Sequence, residues 1–402
     1  MRITGVECTV LVTPNCSVDS LNTAQENVLV QVHTDTGITG IGEVESNPWA
    51  IKALIDSPSS NVLSRSLGQL VAGLDPTQPH AIWDRLYRDS IVTGRRGAGI
   101  CAIGAIDMAI WDIYGKATGQ PIWQLLGGAE QESVTPYASL LPSGNTLHQY
   151  QENLLEKARW AQDFGFKAVK LEILIKGPCS HNGWQASDEA IIEMVRVCRE
   201  SLGSEIRIMV DVGYAWVNWK EALNVLDRIE KYDIYFVETP LWTDDLDGYA
   251  DLALASGIPI AAGELLQTRF EFADLLDRGQ IDIVQPDIGR VGGITEALRV
   301  VQMAEDRGKL VVPHCWKSGV GIAATAQVAL ASSNCPFIEF LPAPVSESPL
   351  RRELLSQELA VEHGQIAPPS RPGLGVVLNA AAVAEFSEAA ENAVLSKVGR
   401  SR

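Results

Sequence analysis

At 402 residues, 46% of them hydrophobic, the chain is long enough for one large α/β domain plus a smaller one. A formal charge of −18 argues against nucleic acid as a partner, because phosphates demand a basic face, and any anionic ligand must be met by local rather than global positive charge. No uninterrupted apolar run approaches the roughly 18 residues of a membrane span and MRITGVECTV lacks a basic signal-peptide head, so no membrane association and a cytoplasmic location are expected.

The first segment reads as antiparallel. MRITGVECTVLVT and NVLVQVHTDTGITGIGEV alternate as strands, with TDTG as the hairpin turn. Between them TPNCSVDSLNTAQE is polar and aperiodic, a loop holding Asn15, Cys16 and Ser17 and of the length that is usually functional or disordered. Helical periodicity follows from about residue 50 to 127. In GICAIGAIDMAIWDIYGKATGQPIWQLLGG the residues Ile106, Ala109, Ile110 and Ile113 recur at helical spacing, and Gly119 and Pro121 supply the stop.

Strand-like and helix-like runs then alternate. The strands fall at 134–140, 166–173, 206–212, 234–239, 258–264, 281–287, 309–314 and 336–340, the eight that close a parallel α/β barrel with its site at the C-terminal strand ends. The stretch ELAVEHGQIAPPSRPGLGVVLN is too polar and turn-rich for another unit and is expected to return to the first domain. The division is therefore 1–128, 129–345 for the barrel, and 346–402.

The chemistry sits at the strand ends. Asp211, Glu238, Glu264, Asp287, His314 and Glu339 follow one another in steps of 27, 26, 23, 27 and 25 residues, each about one strand, one helix and two loops. A single such acid is more often a helix cap or a solvated loop charge, but Asp211, Glu238 and Glu264 at one rhythm converge on one mouth, and three convergent carboxylates need a cation. All-oxygen ligands with no Cys or paired His suit Mg²⁺ better than zinc. Three carboxylates and one Mg²⁺ leave a single negative charge, so an anionic substrate needs a further cation, which Lys170 on the second strand can supply.

His314 alone reads equally well as a core histidine. Neighbouring strands are about 4.8 Å apart, so Asp287 can reach the ring, fix its tautomer and leave the other nitrogen as a base. The seven cysteines are odd in number, show no metal-binding spacing and mostly sit in apolar runs, so reduced thiols are expected. His33, His148 and His181 read as surface residues. Trp216 and Trp316 are candidates for either packing or the pocket wall, and Arg95 and Arg96 for contacts with the first domain or an oligomer partner, with substrate binding the lesser reading.

Taken in order and spacing, the AIDMAIWDIYGKATGQPIWQLLGG helix, KAVKLE, VDVGYAW, VETPL, GELL, QPDIGRVGGITEA, PHCW, IEF and PGLGV resemble the enolase superfamily in its mandelate racemase-like branch, over nearly the whole chain. The resemblance implies an α+β capping domain, built from the N-terminal segment and the C-terminal tail, over a TIM-like barrel of seven or eight strands. It implies one Mg²⁺ per active site on Asp211, Glu238 and Glu264, and removal of a proton alpha to a carboxylate to give a metal-stabilised enediolate. Asp287 and His314 match the family's dyad. Glu339 matches a glutamate that bonds the enediolate oxygen opposite the lysine, for which it must be protonated, as burial beside other acids would favour. By the same resemblance the Asn15 loop closes over the substrate, with Asn15, Glu172 and Trp316 as candidate contacts, and a homo-oligomer, dimer or octamer, is expected.

One departure directs the reaction. Racemases of this branch carry Lys-x-Lys on the second strand, and here the pattern is Lys170-Leu171-Glu172. Racemisation needs a base on each face, whereas one histidine suffices for dehydration. The expectation is a sugar acid dehydratase acting on an aldonate or aldarate and yielding a 2-keto-3-deoxy acid, with His314 or Glu172 as the acid for the leaving hydroxyl. The alternative is a racemase or epimerase with Glu172 as second base. Gly213 and Thr239 also depart from the family pattern, and the Gly-containing insertion ILIKGPCSHNGW follows the second strand.

Overall fold

The structure, a computed structural model, describes residues 1–16 and 22–399. Ser17, assigned above to the closing loop, lies outside them. The alternating N-terminal runs form a three-stranded antiparallel sheet of β1 (Ile3–Val12), β2 (Glu26–Thr34) and β3 (Thr39–Glu43), with β2 in the middle. Val28, Val30 and Val32 of β2 point to one face and are wholly buried there, as a period of two requires. The TDTG turn joins β2 to β3, closed by Gly37 N donating to Thr34 O.

The helical stretch resolves into Pro48–Asp56, Leu67–Val71, Pro79–Asp89, Ile91–Gly94, Ala98–Thr118 and Ile122–Leu125. Ala98–Thr118 stops where expected, at a left-handed Gly119 with Pro121 beyond. This helix has 21 residues and is long and apolar enough to cross a membrane by length and composition, although Asp107 and Asp112 interrupt its apolar run. Its apolarity has another cause. It packs on β2 and β3 on one side and on barrel helices on the other, and 89% of its apolar window is buried in protein.

All eight predicted barrel strands form: β4 (Pro136–Leu140), β5 (Ala168–Glu172), β6 (Arg207–Asp211), β7 (Ile234–Glu238), β8 (Ile260–Ala262), β9 (Ile283–Val284), β10 (Leu310–Val311) and β11 (Ile338–Phe340). They pair in parallel and in sequence from β4 to β10, and β11 returns to β4. The seam between β10 and β11 is carried by Glu339 N donating to Pro313 O at 3.3 Å and Val311 N to Asn334 O at 2.9 Å. Each of the seven connections between successive strands carries an α-helix, and the one between β9 and β10 carries two, Ile288–Val291 and Ile294–Glu305.

The lower barrel is filled by Tyr137, Ala168, Met209, Phe236, Ala261, Ile283, Val312 and Phe337. The period of two along a strand then dictates what lines the mouth. Two residues past this layer stand Ser139, Lys170, Asp211, Glu238, Gln285, His314 and Glu339, and two further still Glu172 and Asp287. Glu264 has the wrong parity relative to Ala261. Gly263 between them takes φ 124°, a conformation open to glycine, and turns Glu264 inward.

The C-terminal segment returns as expected. Leu355–Gln357 pairs with Val377–Leu378, Val134 bridges to Ile366 and Pro121 to Gly373. A helix over Ala380–Gly399, not foreseen from the sequence, lies on β1, where Ala390 packs with Val10, Val12 and Trp49.

Candidate active site

Asp211, Glu238 and Glu264 each offer an oxygen, and these oxygens lie within 4.8 Å of one another. Each carboxylate is also held by hydrogen-bond donors of the protein. Asp211 Oδ1 accepts from Thr239 Oγ1 at 2.8 Å and Gly213 N at 2.9 Å, Glu238 Oε2 from Gln285 Nε2 at 2.7 Å, and Glu264 Oε1 from the Tyr214 hydroxyl at 2.5 Å. The donor set is oxygen only and anionic, and its carboxylates are oriented by groups that do not themselves ligate a metal, so these three residues fit a hard divalent cation.

Lys170 is 1% exposed and lies among four carboxylates: Nζ is 2.7 Å from Glu339 Oε1, 2.9 Å from Glu238 Oε1, 3.3 Å from Glu172 Oε1 and 3.7 Å from Asp211 Oδ2. Burial disfavours its charge, but the surrounding Glu172, Glu238 and Glu339 outweigh burial and hold it well above the ordinary lysine range. Burial also lifts Glu238 to about 8, with Lys170 opposing and Asp211, Glu339 and Glu264 adding to the rise.

His314 Nδ1 is 2.9 Å from Asp287 Oδ2, as the strand spacing predicted. With Nδ1–H donating to that carboxylate, Nε2 faces the acids, 3.5 Å from Glu264 Oε2 and 3.9 Å from Glu339 Oε2. Burial opposes an imidazolium here, yet Glu339, the Asp287 hydrogen bond and Glu264 outweigh it and lift His314 to about 10. Asp287 is itself anchored as the N-cap of a short helix, Ile288–Val291, accepting from Arg290 N. Arg290 in turn reaches Glu264 O at 3.2 Å and Glu45 Oε2 of the first domain at 2.9 Å.

Glu339 departs from expectation. Burial does push its carboxyl up, but Lys170, His314 and the Cys315 N–H at 2.7 Å outweigh burial and hold it below the usual carboxylate range. The expectation weighed the neighbouring acids, whereas Lys170 Nζ stands 2.7 Å from Glu339 Oε1. Glu172 goes the other way. It is 3% exposed, its Oε1 accepts from Ser139 Oγ at 2.8 Å, and burial raises it well above the carboxylate range against the pull of Lys170.

Trp316 is 9% exposed and lines a crevice together with Asp287 and His314. Trp216 is a packing residue, with its indole N–H on Asp188 Oδ1. Asn15 stands exposed on the turn after β1, at φ 59°, rather than buried with the acids. Arg96 pairs with Glu271 at 2.9 Å, away from the mouth. His181 is half-buried rather than free on the surface: its Nε2 lies 2.8 Å from Gly144 O and its ring packs against Tyr150 and Trp184.

Sequence reasoning passed over Ser139, Gln285, Tyr214, Arg290 and Glu45. Ser139 and Gln285 were within its reach, since the inward parity of their strands points at them. Tyr214 and Thr239 act on the acids from left-handed backbone, φ 63° and 45°, which no local pattern announces.

An eight-stranded barrel under an α+β cap, with strand-end acids, a buried lysine and an Asp-held imidazole, is the architecture of the enolase superfamily. Residues 5–127 match the family model for the mandelate racemase / muconate lactonizing enzyme N-terminal domain, and residues 153–382 the enolase C-terminal domain-like model. The chain belongs to this family and is an enolase-superfamily enzyme. It is 31% identical over 395 residues to D-galactarolactone cycloisomerase of Agrobacterium fabrum, covering 96% of this chain and 99% of that one. It is likewise 31% identical over 365 residues to arabinonate dehydratase of Saccharolobus solfataricus, 90% of each. Among solved structures, a racemase from Streptomyces coelicolor with bound magnesium superposes with a TM-score of 0.80 at 25% identity, over 96% of this chain and 99% of that one.

Proposed function

We propose that the chain is a Mg²⁺-dependent hydro-lyase that dehydrates a sugar acid, aldonate or aldarate, to a 2-keto-3-deoxy acid. The observation that carries this reading is the asymmetry of the mouth: one Asp-held imidazole, and in place of a second lysine the buried carboxyl of Glu172. The arabinonate dehydratase relative and the magnesium-bearing racemase structure support it.

Mg²⁺ on Asp211, Glu238 and Glu264 would polarise the substrate carboxylate and offset the charge it gains. Lys170 faces the same carboxylate and meets its growing negative charge from the protein side. A divalent cation on the acids would offset the Glu264 charge that helps hold His314 protonated; in its neutral form His314 Nε2 takes the α-proton, and Asp287 holds the Nδ1–H and stabilises the imidazolium that forms. Glu172, whose carboxyl burial pushes up, gives its proton to the β-hydroxyl, which leaves as water while the electron pair of the carbanion closes the Cα–Cβ double bond. The enol then tautomerises to the keto acid. A racemase or epimerase would need Glu172 ionised as a second base, which its buried setting opposes.

A panel of aldonates and aldarates assayed for keto acid tests the reading; product that is only epimerised or cycloisomerised sinks it. On the true substrate His314→Asn should lose about 10²–10⁴-fold in kcat. Near-normal turnover would remove His314 as the base.

A further inference from the structure

Beside the mouth, at the ends of β4 and β11, lies a second pocket walled by Ser139, Ser143, Lys157, Trp316, Ser346 and Glu347. It shares two walls with the site already described. Ser139 is the residue whose hydroxyl bonds Glu172, and Trp316 also lines the crevice of His314 and Asp287. The enclosed space is about 50 Å³. That is several times the roughly 10–15 Å³ that admits one water.

Lys157 comes from the helix Leu147–Phe164 and its side chain is only 11% exposed. Its ammonium donates to Leu141 O at 2.8 Å, while Glu347 Oε1 stands 4.0 Å away, beyond hydrogen-bond length. An ammonium has three donors, so this buried cation retains donor capacity on the pocket wall. Burial holds it below the ordinary lysine range, with Glu347 and Glu156 opposing.

Glu347 faces Lys157 across the pocket from a side chain 61% exposed, so it offsets the lysine charge in part and a second carboxylate meets a like charge beside that lysine. What the walls do offer is one strong donor, one strong acceptor and three hydroxyls over apolar surface from Leu140 and Pro142. Each CHOH unit is at once donor, acceptor and apolar face. We propose that this pocket is the subsite for the uncharged polyhydroxy tail of the substrate and that it selects a long-chain aldonate over the matching aldarate. The inference rests on the sugar acid reading above and narrows it.

The test compares four- and six-carbon aldonates and the six-carbon aldarate in wild type, Lys157→Met and Ser346→Ala, with Mg²⁺ present. Wild type should favour the six-carbon aldonate over both others, and Lys157→Met should lower its six- to four-carbon ratio of kcat/KM about tenfold, the worth of a charge-assisted hydrogen bond. Ser346→Ala should lower the same ratio and carries the test if Lys157→Met fails to fold. A wild-type preference for the aldarate, or a ratio equal in wild type and variants, overturns the subsite. If no acid is turned over, the dehydratase reading fails by itself, and calorimetric binding of the same ligands decides the subsite. Tighter six-carbon aldonate binding that Lys157→Met abolishes upholds it; equal or absent binding overturns it.

Discussion

Glu172 and Glu339 are both buried acids within reach of Lys170, yet their carboxyls are pushed in opposite directions. Besides the lysine, Glu339 has a backbone N–H and the histidine, whereas Glu172 has a serine hydroxyl. The consequence is testable by separating two steps. Glu172→Gln should keep exchange of the substrate α-proton with solvent, which His314 performs, while keto acid formation falls about 10²-fold or more. Equal loss of both would make Glu172 a packing group. A second outcome follows from Glu238, lifted to about 8 chiefly by burial. At neutral pH the metal-free acid cluster holds a proton that a divalent cation must displace, so Mg²⁺ affinity should rise with pH through about 8 and be accompanied by proton release. Calorimetry in buffers of different protonation enthalpy reads both, and an affinity flat from about pH 6 to about pH 9 would speak against Glu238 as ligand. At this scale the acids and the dyad were legible because rhythm places strand ends. The sign of each charge was not, because it depends on distances of a few tenths of an ångström across the mouth.

The helix Ala98–Thr118 shows how an element acquires its sequence. It is apolar on nearly every side because protein covers it on nearly every side, and its two acids are the exceptions that hold it in register. Asp107 accepts from Thr295 N and Oγ1 at 2.9 and 2.7 Å, at the start of the barrel helix Ile294–Glu305, and Asp112 accepts from Ile41 N, Leu374 N and Lys116. Removing the carboxylate in Asp107→Ala should cost about 1–3 kcal/mol in a denaturant titration, since it strands buried donors. Burial raises Asp107 to about 7. A carboxyl with a raised folded-state pKa contributes most when protonated, below the unfolded value, and loses that contribution as pH rises through the folded one. Wild type should therefore lose stability relative to Asp107→Asn between about pH 4 and about pH 8, read as the difference in Tm. Periodicity found this helix and its stop. It gave no sign that Asp107 and Asp112 were buried, because their partners lie up to 262 residues away.

Cap and barrel meet through contacts that no local stretch contains. Glu43, the last residue of β3, accepts from Ser318 Oγ, Ser318 N and Gly321 N, at the start of the barrel helix Gly319–Leu330. Gly104 lies so close to the helix Ile288–Val291 that an added Cβ would stand 2.0 Å from Gly289 O. Gly104→Ala should cost about 1–3 kcal/mol by overpacking and, because Asp287 caps that helix, should also lower kcat. Unchanged stability and turnover would show that the interface yields freely. The order of motifs made the two-part architecture legible, as it did the return of the tail. The helix that completes the return was not foreseen although its alanine-rich stretch with Glu385, Glu388 and Glu391 favours a helix, because the tail before it is polar and turn-rich and set the expectation for the whole segment.

That helix, Ala380–Gly399, covers β1, and Ala390 closes the apolar cluster begun by Val10 and Val12. A ribosome delivers these partners at nearly opposite ends of translation. The cap must therefore wait, its first strand uncovered, while the entire barrel emerges and folds, and a nascent chain halted after β11 would expose a bare sheet edge to chaperones.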